Sequence, residues 1–215
     1  MATPVHSKLI NKAAREVLKP IGLVRKGQSR LWLDDNAWWL IMVEFQPSSW
    51  SKGTYLNVGI SWLWYPKDYM SFDIGYRENS FIEFKDEDTF SRDTIALAEK
   101  AKECVFSLRQ SMSSPELAKA FVLENSKGGE QNIWGCLNKG LACLHALDFQ
   151  GARVHLENVI QCSDDRDWAI SVKDFTQSIL SLQPKEQIKA IQDAIIQSRK
   201  LKKLPEMNVT FGGSA

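Results

Sequence analysis

Over residues 4–19 the apolar side chains Val5, Leu9, Ala13, Val17 and Leu18 recur at helical spacing, with Lys8, Lys12, Arg15 and Lys19 on other faces. This pattern predicts an amphipathic first helix, ended by Pro20 and Gly22, because proline removes a helical donor and glycine accepts the left-handed conformation common after a helix. The period then falls to two. Residues 29–34, 37–46 and 54–64 alternate and carry β-formers, predicting three antiparallel strands with Asp35-Asn36 as a two-residue hairpin turn. Two shorter stretches, 71–77 and 80–85, flank Glu78-Asn79 and are expected to extend the sheet as a second hairpin.

From Asp88 the helical period returns through Ile95, Ala98, Ala101, Val105 and Leu108, and Ser114-Pro115 is a cap and first turn for a helix to about Glu124. The polar segment 125–130, with Gly128-Gly129, reads as a linker. Helical periodicity follows over 133–147, 152–160, 168–182 and 184–204, and the tail 208–215 is expected to be without fixed structure. The fold class is therefore α+β: an N-terminal helix and a twisted antiparallel sheet of three to five strands, then an all-helical C-terminal half. The expected domains are a sheet domain over 1–124 and a helical segment over 131–204, either separate or packed on the first, with 205–215 as a disordered tail.

Strand alternation divides the sheet into two faces. Ala37, Trp39, Ile41, Val43 and Phe45, with Thr54, Leu56, Val58, Ile60, Trp62 and Trp64, form the core face. The opposite face carries Trp38, Leu40, Met42, Glu44 and Gln46 beside Tyr55, Asn57, Gly59 and Ser61, and is half polar. Arg30 and Trp32 share a face of the first strand, and Arg25 and Lys26 lie just ahead, so a basic edge borders an aromatic, amide-bearing surface. Such a mixture suits a ligand, a peptide or a single-stranded nucleic acid. The candidate binding residues are Arg25, Lys26, Arg30, Trp32, Trp38, Glu44, Gln46, Tyr55 and Asn57, with exposure of Trp32 and Trp38 the sign of function. The structural alternative is that helices cover this face and that Gln46 and Asn57 bond the backbone of the 48–52 loop.

Composition narrows the chemistry. Among 215 residues, 27 Lys and Arg nearly balance 26 Asp and Glu, so no overall field draws in nucleic acid or anionic membrane, and any such partner needs a local patch. No signal-peptide-like stretch or run of about 18 apolar residues occurs, which leads to the expectation of a cytoplasmic chain with no membrane partner. Cys104, Cys136, Cys143 and Cys162 lie in helical segments without a CxxC, and read as reduced thiols. His6, His145 and His155 sit in no catalytic motif; His155-Leu-Glu157 lacks the P-C-x-x-C that a zinc deaminase needs. No phosphate-binding glycine loop is present. The carboxylates at 83–88 and 164–167 fall at helix starts, where they complement the dipole, and the basic run 198–203 reads as a solvated helix end. No catalytic residue, metal or cofactor is assigned.

The run Lys19-Pro-Ile-Gly-Leu-Val-Arg-Lys-Gly27, with Glu44-Phe-Gln46 and Asn57-Val-Gly59, resembles a family of mainly bacterial domains catalogued as domain-of-unknown-function 4304. Leu23 stands where that family usually has an aromatic residue, and the resemblance covers the first half of the chain. It implies a helix followed by strands and brings no activity. In the second half, Gly140, Ala152 and Leu156, around a turn bearing Phe149, resemble one tetratricopeptide repeat, with Cys143 where an aromatic is usual. The functional expectation is a non-enzymatic protein-interaction module, an accessory or immunity-type factor in a bacterial conflict or regulatory system. The alternatives are binding of a single-stranded nucleic acid or nucleotide through the second sheet face, and an enzyme with a pocket centred on Glu44.

Overall fold

A computed structural model describes residues 3–126, 128–129 and 131–210. The elements run α1 (Val5–Leu18), β1 (Val24–Arg25), β2 (Leu31–Asp35), β3 (Trp39–Gln46), β4 (Gly53–Trp62), β5 (Ile74–Arg77), β6 (Ile82–Glu83), then α2 (Glu87–Ser111), α3 (Pro115–Asn125), α4 (Ile133–His145), α5 (Phe149–Gln161), α6 (Asp167–Leu180) and α7 (Pro184–Leu201). The chain is α+β: a helix, an antiparallel sheet, then helices. It forms two compact units. One takes the chain up to Trp62 with Met70–Gln110; the other takes Leu63–Tyr69 with the chain from Ser111 onward.

In the first unit α1 closes on a short 3-10 turn. Gly22 adopts φ +96°, its N–H reaching the Lys19 carbonyl at 3.0 Å while the Leu23 N–H reaches Leu18 at 3.2 Å. This left-handed cap is what the Pro20–Gly22 pair dictates. The sheet order is β1-β2-β3-β4-β5, all antiparallel. β3 and β4 pair over eight positions, from Trp39↔Trp62 to Gln46↔Tyr55. The face bearing Ile41, Val43, Phe45, Leu56, Val58 and Ile60 is fully buried. Ser7 of α1 bonds Arg30 on this face, and Arg109 of α2 holds Asp34 there with two hydrogen bonds of 2.9 and 2.7 Å while also donating to the Ile21 carbonyl.

Two details of the sheet differ from the sequence expectation. The β2–β3 turn lies at Ala37-Trp38, closed by the Asn36 N–H on the Trp39 carbonyl at 3.0 Å, with Ala37 at φ +63°. The Asp35 carboxylate accepts the Ala37 N–H, and the Trp38 ring stacks on Trp62 at 5.7 Å and 7°. Burying this indole pair outweighs the turn propensity of Asp35-Asn36. Because the turn moves by two residues, the faces expected for Trp39–Gln46 and for Thr54–Trp62 survive, while Trp38 is taken into the turn. The second hairpin is replaced by a different pairing: β5 and β6 both pair with β4, at Asn57–Ile60 and Gly53–Thr54 respectively. Between them the Asn79 side-chain carbonyl takes the Leu56 N–H at 2.8 Å, standing in for a ladder partner. The pair is thus one interrupted edge strand.

Gly59 and Gly75 face each other across β4 and β5, and Phe72 folds over both. A Cβ on Gly59 would fall 2.2 Å from the Ile74 carbonyl and 2.8 Å from the Phe72 ring, whereas the atoms nearest to one on Gly75 are those of the Phe72 side chain, at 3.0 Å or more. An aromatic ring laid over cross-strand glycines restores the side-chain contact they lack.

The second unit is a succession of packed helices, α3 on α4, α4 on α5, α5 on α6 and α6 on α7. Asn132 and Asp148 cap α4 and α5 through the N–H groups of Gly135 and Gly151. At Gly140 the α4–α5 approach is so close that a Cβ would lie 2.6 Å from Leu156 and 3.3 Å from the Ala152 carbonyl. Leu63 and Trp64 are buried in this unit, the Trp64 indole donating to Asn138 at 2.9 Å, so Trp64 leaves the strand that its alternation suggested. At the basic end of α7, Lys200 and Lys203 are exposed as expected, but two of the cations are not solvated. Arg199 is buried and donates to the Pro205 carbonyl, and Lys202 is buried and donates to the carbonyls of Lys67 and Tyr69. In the described part of the tail, Val209 is buried and its carbonyl accepts from Gln192. Residues 211–215 of the expected disordered tail, and Lys127 and Glu130 of the expected linker, lie outside the described residues.

Gly59→Ala is expected to destabilise the chain by about 3 kcal/mol, since backbone must move, and Gly75→Ala by roughly 1 kcal/mol, since the Phe72 side chain must give by a few tenths of an ångström; denaturant midpoints of the two variants give the comparison. A second expectation concerns His145, which is buried in α4 and whose pKa burial lowers from 6.5 to about 4. The folded state resists its protonation, so stability is lost as pH falls from 6.5 towards 4, about 2–3 kcal/mol by pH 4.5. Asp86, Asp148 and Asp164 are held below the ordinary carboxylate range and act with the same sign only at lower pH. His145→Gln should therefore flatten the unfolding free energy between pH 7 and 4.5; an unchanged slope would assign it to other groups.

Candidate functional site

The sheet register gathers four of the nine candidate residues. On the second face Glu44 lies opposite Asn57 and Gln46 opposite Tyr55. The Asn57 amide donates to the Glu44 carboxylate and to the Gln46 carbonyl, both at 2.9 Å. Arg77, opposite Asn57 on β5, completes the group: it donates to Asn57 at 3.3 Å and to Gln46 at 2.7 Å, and its guanidinium lies 4.0 Å over the Tyr55 ring. Tyr55 packs in turn on Phe81 at 5.0 Å. Gln46 and Asn57 therefore satisfy each other and Arg77, and do not bond the 48–52 loop. Further along the same face Leu40, Met42, Gly59 and Ser61 are buried, leaving the polar end half-exposed. Arg77 was legible only as one residue of a short alternating stretch; its pairing with Asn57 is tertiary.

The other five residues lie elsewhere. Trp32 pairs with Val43, so it belongs to the core face, 3% exposed, with its buried indole N–H lacking an acceptor. Trp38 is 7% exposed against Trp62. Neither presents an aromatic surface. Arg30, in phase with Trp32, is also on the core-face side, its guanidinium donating to Ser7 Oγ at 2.7 Å and to the Gly53 carbonyl at 3.4 Å. Arg25 braces the β1–β2 turn through the carbonyls of Ser29 and Gln28, each at 2.6 Å, and Lys26 lies in that turn. The basic edge is thus on the opposite side of the sheet from the Glu44–Asn57–Arg77 network.

The helical unit carries an aromatic platform that strand alternation could not reveal. Trp134 at the start of α4 and Trp168 at the start of α6 lie parallel, 5.8 Å apart and 7° from coplanar. Tyr65 meets Trp134 and Phe175 edge-on at 5.2 and 5.1 Å. Lys67 stands 5.5 Å from the Trp134 ring and 5.7 Å from Tyr69, and Arg166 stands 4.9 Å from Trp168. Ser198 donates to the Tyr65 carbonyl and Lys202 to those of Lys67 and Tyr69, so α7 braces the 63–69 segment. Trp168 and Tyr69 keep 38% and 56% of their surface exposed, which makes this an accessible aromatic cluster. Tryptophans outside the sheet were the available signal.

The acidic runs act as structure. Asp86 accepts the Thr89 N–H at the start of α2, and Asp164 pairs with Arg166 at 2.5 Å, which holds its carboxyl down to about 2. The four cysteines are free thiols, and burial pushes Cys104 and Cys143 up to about 11. Among the described residues no helix is long and apolar enough to cross a membrane.

The fold and surfaces define an α+β protein with a helical unit bearing an exposed aromatic cluster. Comparison with known protein families, curated proteins and solved structures returned no match.

The network around Asn57 makes a stability prediction of its own. Asn57→Leu removes the shared donor to Glu44 and Gln46 and the acceptor for Arg77, and is expected to destabilise the chain by about 1–2 kcal/mol. Glu44→Gln, which keeps an acceptor for Asn57, should change the unfolding midpoint little.

Proposed function

We propose that this chain is a non-enzymatic protein-interaction module whose contact surface is the aromatic platform of its helical unit. The observation that carries this reading is the parallel Trp134–Trp168 pair, with Trp168 exposed and Arg166 and Lys67 set against the indoles. Trp, Tyr and Arg dominate the binding energy of protein interfaces, and a cluster held rigid beforehand loses little side-chain entropy on association. Asp164, Asp165 and Asp167 flank Arg166, so the local charge is mixed. A protein surface carrying both signs complements it, whereas a phosphate backbone would be repelled. The finer reading, an accessory or immunity-type factor, rests on the sequence resemblance of the first half.

The test is copurification of the tagged chain from its source cell, compared with the Trp168→Ala/Tyr69→Ala variant. A stoichiometric protein partner retained by the parent chain and lost from the variant, at unchanged melting temperature, is the expected outcome. A lone monomer in the parent preparation, or a partner retained equally by both, counts against the proposal.

A further inference from the structure

The basic edge of the first unit collects cations without counterions. Arg25 and Lys26 lie at the β1–β2 turn, Arg30 at the entry to β2, Lys52 before β4, and His6 on the first turn of α1. The Arg30 guanidinium is partly buried and meets only neutral oxygens, the Ser7 hydroxyl and the Gly53 carbonyl. Arg25 likewise meets only backbone carbonyls. Among the described residues none of these five groups forms an ion pair with a carboxylate. Their mutual repulsion is felt: besides burial, Arg30 and Lys52 lower the pKa of His6, and Arg25 lowers that of Arg30. Two residues before Lys52, Trp50 is 94% exposed, the most exposed large apolar side chain described.

A partly buried guanidinium among like charges is costly unless an anion neutralises it. A fully exposed indole beside such a patch has no packing reason to be there and is suited to stacking. We propose that this edge is a phosphate-binding site for single-stranded nucleic acid, with Arg25, Arg30 and Lys52 facing the phosphodiester backbone and Trp50 stacking on a base. A flexible strand suits this edge better than an anionic bilayer does. The Arg30 guanidinium is half-buried against Ser7 and Gly53, and a flexible strand can adapt to it more readily than a flat headgroup plane. Glu83, exposed and opposite Gly53 on β6, together with Glu87 and Asp88 at the start of α2, would also meet such a plane. The site is in the first unit and does not depend on the aromatic platform of the second.

The test titrates the full chain with a uridine 12-mer, following fluorescence anisotropy of a labelled strand and tryptophan emission. Binding is expected at 50 mM salt and to weaken roughly tenfold by 200 mM, as release of two or three counterions from a single strand requires. Trp50→Ala should abolish the emission quenching and weaken binding roughly tenfold, and Lys52→Gln should weaken it and reduce the salt dependence. Both side chains are exposed on a loop, and thermal melting checks that the variants remain folded. Absence of binding at 50 mM salt, or binding unaltered in both variants, overturns the proposal. So does capture by phosphatidylserine vesicles with no binding of the strand. Trp168→Ala/Tyr69→Ala should bind the strand as the parent does, which separates this site from the protein-contact surface.

Discussion

The eight-position pairing of β3 with β4 is the constraint on which the first unit depends. A strand has a side-chain period of two, so a slip of one residue would carry Ile41, Val43 and Phe45 to the polar face and bring Glu44 and Gln46 into the core. Every other placement in the unit follows from this register. β2 joins with Trp32 opposite Val43, which sends Trp32 and Arg30 to the core-face side. β5 joins with Gly75 opposite Gly59 and Arg77 opposite Asn57, which builds the buried and half-exposed ends of the second face together.

Polar groups at the unit's boundaries are answered in kind. Asp34 is 6% exposed, and an unpaired carboxylate there would be strongly unfavourable; Arg109 supplies two hydrogen bonds and reaches the Ile21 carbonyl with the same guanidinium. One side chain thereby ties α2 to β2 and to the end of α1. The helical unit uses the same device with cations and backbone. Lys202 and Arg199 are buried yet bonded to carbonyls of segments that have no regular structure of their own. A lysine-rich helix end that reads as a solvated face is in this way the clamp for the 63–69 segment, and hence for the platform built on Tyr65 and Lys67.

The two candidate surfaces differ in what holds them. The aromatic platform is stabilised from within, ring on ring, with its cations already set against π faces. The basic edge is held by neutral oxygens and internally repelled, so it gains most from an added anion. Rigid aromatic contacts suit a partner recognised by shape, and uncompensated charge suits one recognised by phosphate.

Periodicity alone determined the α+β class, the first helix with its Pro20–Gly22 stop, the three long strands and their two faces, and the helical second half. It could do so because burial of one face acts on every residue of a regular element. It also placed Glu44, Gln46, Tyr55 and Asn57 side by side, since neighbours on a hairpin face follow from alternation. Only the tertiary structure decided that β5 and β6 share one edge of β4, that Trp38 leaves its strand to stack on Trp62, and that Trp64 joins the helical unit. Only it put Arg77 on Asn57, turned Trp32 and Arg30 away from that group, and brought Trp134 to Trp168 across two helices. Each of these depends on which surfaces meet between segments distant in sequence, and such meetings leave no period along the chain.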